Sequence, residues 1–163
     1  MLDKLKWRLG LWFEQNRFSI GVFGAVFNSE GKLVIVRQKG RKKWTLPGGG
    51  VGKKDLAPAQ EWFGNDYEAA LLHALYRELK EEIQLDGAYI LDANPVRNFL
   101  SARLKDLAVV YRVETREGAT FSRGGEIAEV RLVAKEDLDR FSMLGPRMNQ
   151  MVKWAFENKN ALG

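Results

Sequence analysis

The sequence predicts a mixed α/β fold in a single domain. Three observations carry this expectation. Short aromatic and β-branched segments read as strands, one firmly periodic helix lies among them, and no repeat or linker divides the chain. At 163 residues the chain can bury a real core. Apolar residues at 45% and charged residues at 29% give a globular balance with no signature of disorder.

Residues 2–15 set Leu2, Leu5, Leu9 and Trp12 at helical spacing among Lys4, Lys6 and Arg8. This predicts an amphipathic N-terminal helix over 1–16, packed on the domain or on a partner, with 17–163 as the single domain. A basic helix with two tryptophans also suits a membrane surface. Phe18–Phe27 and Lys32–Val36 read as strands of a hairpin turning at Gly31. Trp44–Pro47 is a short extended piece, and Gly48-Gly49-Gly50 then permits backbone shapes closed to other residues. Residues 51–64 mix Gly, Pro and charge and read as a surface loop. From Asp66 to Ile83 the apolar positions Leu71, Leu72, Leu75, Leu79 and Ile83 define a helix. Further strands are expected at 88–92, 95–101, 107–114 and 127–133. A closing helix runs from about Pro146 to Asn158, with Pro146 suited to its first turn.

Composition excludes several chemistries. The chain has no cysteine and a single histidine, His73, so disulfides, thiol nucleophiles and zinc sites of the Cys/His kind are ruled out. A metal here would be held by carboxylates and carbonyls, which suits a hard cation such as Mg²⁺. No apolar run approaches the roughly 20 residues of a membrane span, and the N-terminus lacks a signal-peptide layout. A cytoplasmic protein is the expectation. The formal net charge is +5, with Arg37, Lys39, Arg41, Lys42 and Lys43 crowded ahead of the glycines. That run reads either as a solvated loop or as a rim that attracts phosphate.

The chemistry concentrates in Arg77-Glu78-Leu79-Lys80-Glu81-Glu82. Helix residues advance by about 100°, so Glu78, Glu81 and Glu82 project within one arc of roughly that width. With Leu75 marking the core direction, Glu82 lies only about 20° from it, inside the apolar stripe. A carboxylate there is costly unless paired or metal-bound, and Arg77 is the obvious local partner. A solvated helix end beside Lys80 would account for Glu81 but not for Glu82. Acids at a helix C-terminus also oppose the macrodipole.

Leu46-Pro47-Gly48-Gly49-Gly50, followed by Arg77-Glu78-Leu79-x-Glu81-Glu82-x-x-Leu85, resembles the Nudix box. In that family the box runs Gly, five residues, Glu, seven residues, Arg-Glu-apolar-x-Glu-Glu-x-Gly-apolar. Two departures stand out. About a dozen extra residues separate Gly49 from the helix, and the isolated glutamate, counted back from Arg77, falls on Ala69. Glu68, one position early, reads equally as its substitute or as a helix cap with Asn65. Gln84 stands where the family has glycine, which makes a left-handed turn costlier.

The resemblance implies an α/β/α sandwich with a mixed central sheet and a hydrolase of diphosphate linkages. It implies that Glu78, Glu81 and Glu82 hold one to three Mg²⁺ ions (Mn²⁺ being an alternative), with the Gly48 carbonyl as a further ligand and Arg77 orienting the carboxylates. Glu126, after Gly124-Gly125, is the late-loop candidate for general base, though it also reads as a solvated loop acid. Arg37 and Lys39 are candidates for substrate phosphates and Trp44 for stacking on a base, a core or rim role for Trp44 being the alternative; Phe99 and Tyr111 are weaker candidates. His73 reads as structural.

The expected substrate is a nucleotide-like small molecule, either a nucleoside diphosphate linked to another moiety or a nucleoside triphosphate. A second reading is removal of pyrophosphate from an RNA 5′ end, which the basic run permits. A third is a nucleotide-binding module without catalysis, against which the intact glutamate set argues. A homodimer is compatible with the sequence.

Overall fold

The structure, a computed structural model, describes residues 19–52, 54–55, 67–91, 97–101 and 106–157. The helix expected over 1–16 lies outside these residues. Seven strands form one mixed sheet: β1 (Ser19–Phe27), β2 (Leu33–Gln38), β3 (Gly48–Gly50), β4 (Tyr89–Leu91), β5 (Arg97–Ser101), β6 (Asp106–Thr115) and β7 (Ile127–Val133). Among the described residues they are accompanied by helices α1 (Tyr67–Ile83) and α2 (Gly145–Glu157) and by a 3₁₀ segment over Lys135–Arg140.

The main path of the sheet runs β4-β6-β1-β2-β7, with β3 paired to β1 and β5 to β6. Among the named strands β1 and β6 run parallel, and the other pairings are antiparallel. The alternation of side chains assigns each face to a helix. Ala25, Phe27, Leu33, Ile35, Ala108 and Val110 pack with Met151, Val152 and Ala155 of α2. Their neighbours Val22, Val26, Val34, Val36, Val109 and Tyr111 pack with Leu75, Leu79 and Ile83 of α1. With both faces covered, Leu33 to Val36 are buried in succession, which is why β2 reads as a continuous apolar run. This is an α/β/α sandwich.

One detail of register shapes the functional end. β1 pairs with β2 at Phe27 and Leu33. Nearer the start of β1, the same edge is taken by β3, with Gly21, Val22 and Phe23 opposite Gly50, Gly49 and Gly48. A hydrogen bond from the Gly24 N–H to the Pro47 carbonyl continues this contact at 2.8 Å. The three glycines therefore run beside the central strand.

The expectation of a surface loop over 51–64 needs correction at one end. Lys54 and Asp55 are helical, and Asp55 is completely buried. The reason is its partners, which belong to the site.

Candidate active site

Helix α1 lays its C-terminal half beside the glycine strand. A Cβ on Gly49 would overlap the carboxylate of Glu78, 2.7 Å from its Cδ. A Cβ on Gly48 would strike the Val22 carbonyl and approach Phe23 Cα to 2.7 Å, and its φ of +153° is one L side chains rarely adopt. Glycine at these two positions is thus what lets the acids of α1 lie against backbone.

Glu82 is buried, and its Oε2 accepts a hydrogen bond from the Gly48 N–H at 2.9 Å. Burial pushes its carboxyl up to about 7, and the charges of Glu78 and Glu126 push the same way. The Gly48 N–H and a hydrogen bond from Gln38 oppose that rise without cancelling it. The sequence pointed to Arg77 as the partner of Glu82, and the structure corrects this: Arg77 is committed elsewhere.

Arg77 donates through Nε to Asp55 Oδ1 at 2.9 Å and through Nη2 to Asp55 Oδ2 at 3.2 Å. Its Nη1 donates to Glu78 Oε1 at 2.7 Å and Glu81 Oε2 at 3.0 Å, and Nη2 also reaches the Gly50 carbonyl at 3.2 Å. Every N–H of the guanidinium is spent on positioning. The bond to Asp55 is the largest factor holding the Arg77 pKa above its usual value.

Asp55 also accepts from the Gly52 N–H at 2.9 Å and lies 3.1 Å from His73 Nδ1. Burial alone would raise its carboxyl. The bonds from Arg77, Gly52 and His73, with the charge of Arg77, outweigh that and hold it below the ordinary range. Counting forward from Gly49 by the box's own spacing, five residues and then an acid, lands on Asp55. The extra residues therefore follow the acid, and a count backward from Arg77 misses it. Glu68 is exposed in the first turn of α1.

The end of α1 carries the second departure. Gln84 takes φ +43°, and the Leu85 N–H reaches back to the Leu79 carbonyl at 3.3 Å, closing the helix with its left-handed residue. Ser122 Oγ donates to Gln84 Oε1 at 2.6 Å, which helps to fix the turn that glycine would make freely. The Ser122 and Gly124 N–H groups satisfy the Ile83 and Glu82 carbonyls, each at 2.9 Å. Gly124 fits so closely on the helix end that a Cβ would lie 2.7 Å from the Glu81 carbonyl carbon. This docked loop carries the exposed Glu126 close enough for its charge to be felt at Glu82.

The other candidates lie as follows. Arg37 pairs with Glu129 at 3.0 Å, donates to the Arg41 carbonyl at 3.2 Å and stacks on Trp44, 5.6 Å from the ring centroid. Trp44 is buried and packs edge-on against Phe141. Lys39 is exposed, and its N–H donates to the Glu126 carbonyl at 2.9 Å. Tyr111 is buried, and Phe99 packs on Trp154. Among the described residues no three acids converge closely enough to form a metal site as they stand. Gln38, which the sequence did not single out, bonds Glu82.

A glycine cradle, an arginine spent on acids and a buried carboxylate on the same helix match a known pattern, and the NUDIX domain profile covers residues 17–155. The chain belongs to the Nudix family. The RNA pyrophosphohydrolase of Marinomonas sp. (strain MWYL1) is 32% identical over 88 residues, 54% of this chain and 45% of that protein. The match thus spans less than half of that relative's length. A Nudix hydrolase from Nitrosomonas europaea shares the fold with a TM-score of 0.65 at 17% identity, over 90% of this chain and 74% of that one. The NUDIX domain of Shewanella oneidensis NrtR, solved with ADP ribose, gives 0.60 at 16% identity over 88% and 90%. No helix among the described residues is long and apolar enough to cross a membrane.

Proposed function

We propose that this Nudix protein is a divalent-cation-dependent pyrophosphohydrolase acting on a nucleoside diphosphate-linked substrate or a nucleoside triphosphate. The observation that carries the proposal is Glu82. It is a buried carboxylate raised to about 7, beside the charges of Glu78 and Glu126, while Arg77 of the same helix is fully engaged elsewhere. A cation would stabilise the charged form of such a group, and an all-oxygen donor set suits Mg²⁺ or Mn²⁺. Glu78, Glu81, Glu82 and the Gly48 carbonyl are the groups that would hold it. Once bound, the ion would neutralise diphosphate charge and acidify a water.

The chain's own residues do the rest. Arg77 keeps the Glu78 and Glu81 carboxylates oriented. Glu126, exposed on the loop docked against the end of α1, takes the proton as a water oxygen bonds to phosphorus and the bridging P–O bond breaks, the electron pair leaving with the departing phosphate. A test is a panel of ADP-ribose, nucleoside triphosphates and dinucleoside polyphosphates, read by phosphate and nucleotide release with Mg²⁺ and with excess EDTA. Turnover that needs the metal and disappears in Glu82→Gln is expected; no turnover on any member would sink the proposal.

Pyrophosphate removal from RNA 5′ ends is a second reading. It is favoured by the named relative and by the exposed run Lys39-Gly40-Arg41-Lys42-Lys43. Release of pyrophosphate from 5′-triphosphorylated RNA, weakening steeply with salt as phosphate contacts do, would distinguish it.

A further inference from the structure

The Asp55 carboxylate gathers more donors than Arg77 supplies. Its Oδ1 takes Arg77 Nε at 2.9 Å and faces His73 Nδ1 at 3.1 Å. Its Oδ2 takes Arg77 Nη2 at 3.2 Å and the Gly52 N–H at 2.9 Å. None of the Asp55 side chain is exposed. Asp106 makes the contrast: Arg147 holds it in the same two-pronged way, yet 24% of its side chain stays open to solvent. A carboxylate closed off from water must find its donors within the protein, and His73 adds one to Asp55.

The direction of the His73 bond follows from the state of its partner. Burial works against ionisation of Asp55, but the bonds from Arg77, Gly52 and His73 outweigh it. An ionised carboxylate only accepts, and a bare Nδ1 would set lone pair against lone pair, so Nδ1 carries the proton and donates. His73 and Arg77 stand four residues apart on α1, one turn from each other on the same face. Bonded to Arg77 alone, the carboxylate could tilt along the helix; bonded to both turns, it is fixed along the axis as well as across it. The guanidinium it fixes in turn holds Glu78 Oε1 at 2.7 Å and Glu81 Oε2 at 3.0 Å. The acid is an aspartate where the box carries glutamate, and a side chain one methylene shorter gains from a second donor on the helix.

We infer that His73 is a positioning residue of the active site: through Asp55 it sets the place of the Arg77 guanidinium, and so of Glu78 and Glu81. The inference rests on the proposed hydrolysis only for its kinetic consequence. Misplacing reacting groups by about 1 Å can cost roughly a hundredfold in rate, so even a partial loosening of the clamp should register in kcat.

Because His73 is the single histidine, nuclear magnetic resonance of the intact protein labelled with ¹⁵N-histidine reads its ring without ambiguity. The expected Nδ1 shift is that of a protonated nitrogen, and it should move in Asp55→Asn. The Arg77 Nε–H resonance, assigned by its loss in Arg77→Lys, should shift in His73→Ala and return in His73→Asn, whose amide nitrogen stands about where Nδ1 does.

The kinetic arm uses the same variants on a substrate that the wild type hydrolyses. His73→Ala should lower kcat at least fivefold with KM within twofold, and His73→Asn should recover most of that loss. Val152→Ala, in the buried core on the far side of the sheet, is the control for stability alone: it should melt earlier yet keep its kcat. Should His73→Ala melt below the assay temperature, His73→Gln replaces it, since its amide stands at the place of Nε2 and should show the same loss. An unprotonated Nδ1, a smaller loss of kcat, an effect confined to KM, or a loss that His73→Asn does not recover overturns the inference while leaving hydrolysis intact. If the wild type hydrolyses no diphosphate, the hydrolase reading falls, and the Arg77 resonance alone decides whether His73 sets the clamp.

Discussion

Arg77 grips Asp55 with two hydrogen bonds, of 2.9 and 3.2 Å, across an interval of the sequence that no local pattern spans. The pair joins the turn just ahead of the extra residues to the helix that bears the acids. Because the same guanidinium also holds Glu78 and Glu81, the geometry of the acids depends on a residue that touches neither of them.

Removing Asp55 should therefore be costly twice. Asp55→Ala leaves Arg77 half-partnered in a buried place, and breaking such a pair typically costs about 3–5 kcal/mol. Arg77→Lys keeps the charge but cannot reproduce the fork, so it should destabilise too and lower activity through Glu78. Chemical denaturation and rates on the two variants check this. A melt within error of wild type for Asp55→Ala would refute the clamp.

The pH dependence of Asp55 follows from its direction. Its folded pKa is depressed, so its stabilisation is present above the unfolded value of about 3.9 and lost as pH falls through the folded value. Asp55→Asn should lose stability near neutrality and show a flatter acid limb than the wild type. Parallel melts from pH 2.5 to 6 are the measurement.

Glu82 has the opposite sign. Its folded pKa of about 7 exceeds the ordinary value of 4.5, so the metal-free protein should be most stable below that lower value and lose stability as pH rises towards 7. A shift of this size corresponds to something on the order of 3 kcal/mol. Glu82→Gln should flatten that slope and melt at or above the wild type at pH 7.5 in EDTA, while losing activity by orders of magnitude with Mg²⁺. A variant that melts early but turns over normally would return Glu82 to an ordinary structural role.

Much of this was legible in the sequence, for identifiable reasons. β1, β2, α1 and α2 announce themselves through apolar runs and helical spacing, and Glu82 through its place inside an apolar stripe. Asp55 was hidden because an acid in a loop rich in Gly and Pro looks solvated; only the forward count from Gly49 separates it from its surroundings. Gln38 and the Asp106–Arg147 pair depend on register and on helix placement, with partners 44 and 41 positions apart in the chain. No local pattern carries that information. Trp44 was open between stacking and a core or rim role, and only the fold shows that its ring packs against Phe141 and Arg37.

The 51–64 segment divides at Asp55, with the extra residues after it. A deletion within 56–64 that keeps Gly52, Lys54 and Asp55 should leave folding intact and shift substrate preference. A deletion of 51–55 removes the Arg77 anchor and should yield a protein that melts early or does not fold. If both deletions behave alike, Asp55 is not what distinguishes them.

The glycine strand offers the cleanest separation of site from scaffold. At Gly49 a methyl group would occupy space now held by the Glu78 carboxylate, whereas at Gly50 it would meet nothing within 4 Å. Both positions lie in the same strand, and neither has a φ in the region that L side chains avoid. Gly49→Ala should displace Glu78 and cost about 1–3 kcal/mol of overpacking, while Gly50→Ala stays within about 0.5 kcal/mol of wild type. Activity should diverge further than stability, because a displaced Glu78 loses its bond to Arg77 as well as its place beside Glu82. A loss of at least a hundredfold in kcat is expected for Gly49→Ala and little change for Gly50→Ala, both measured well below their melting temperatures. Should Gly49→Ala keep normal kcat while folding normally, the place of Glu78 against the strand would be incidental to catalysis.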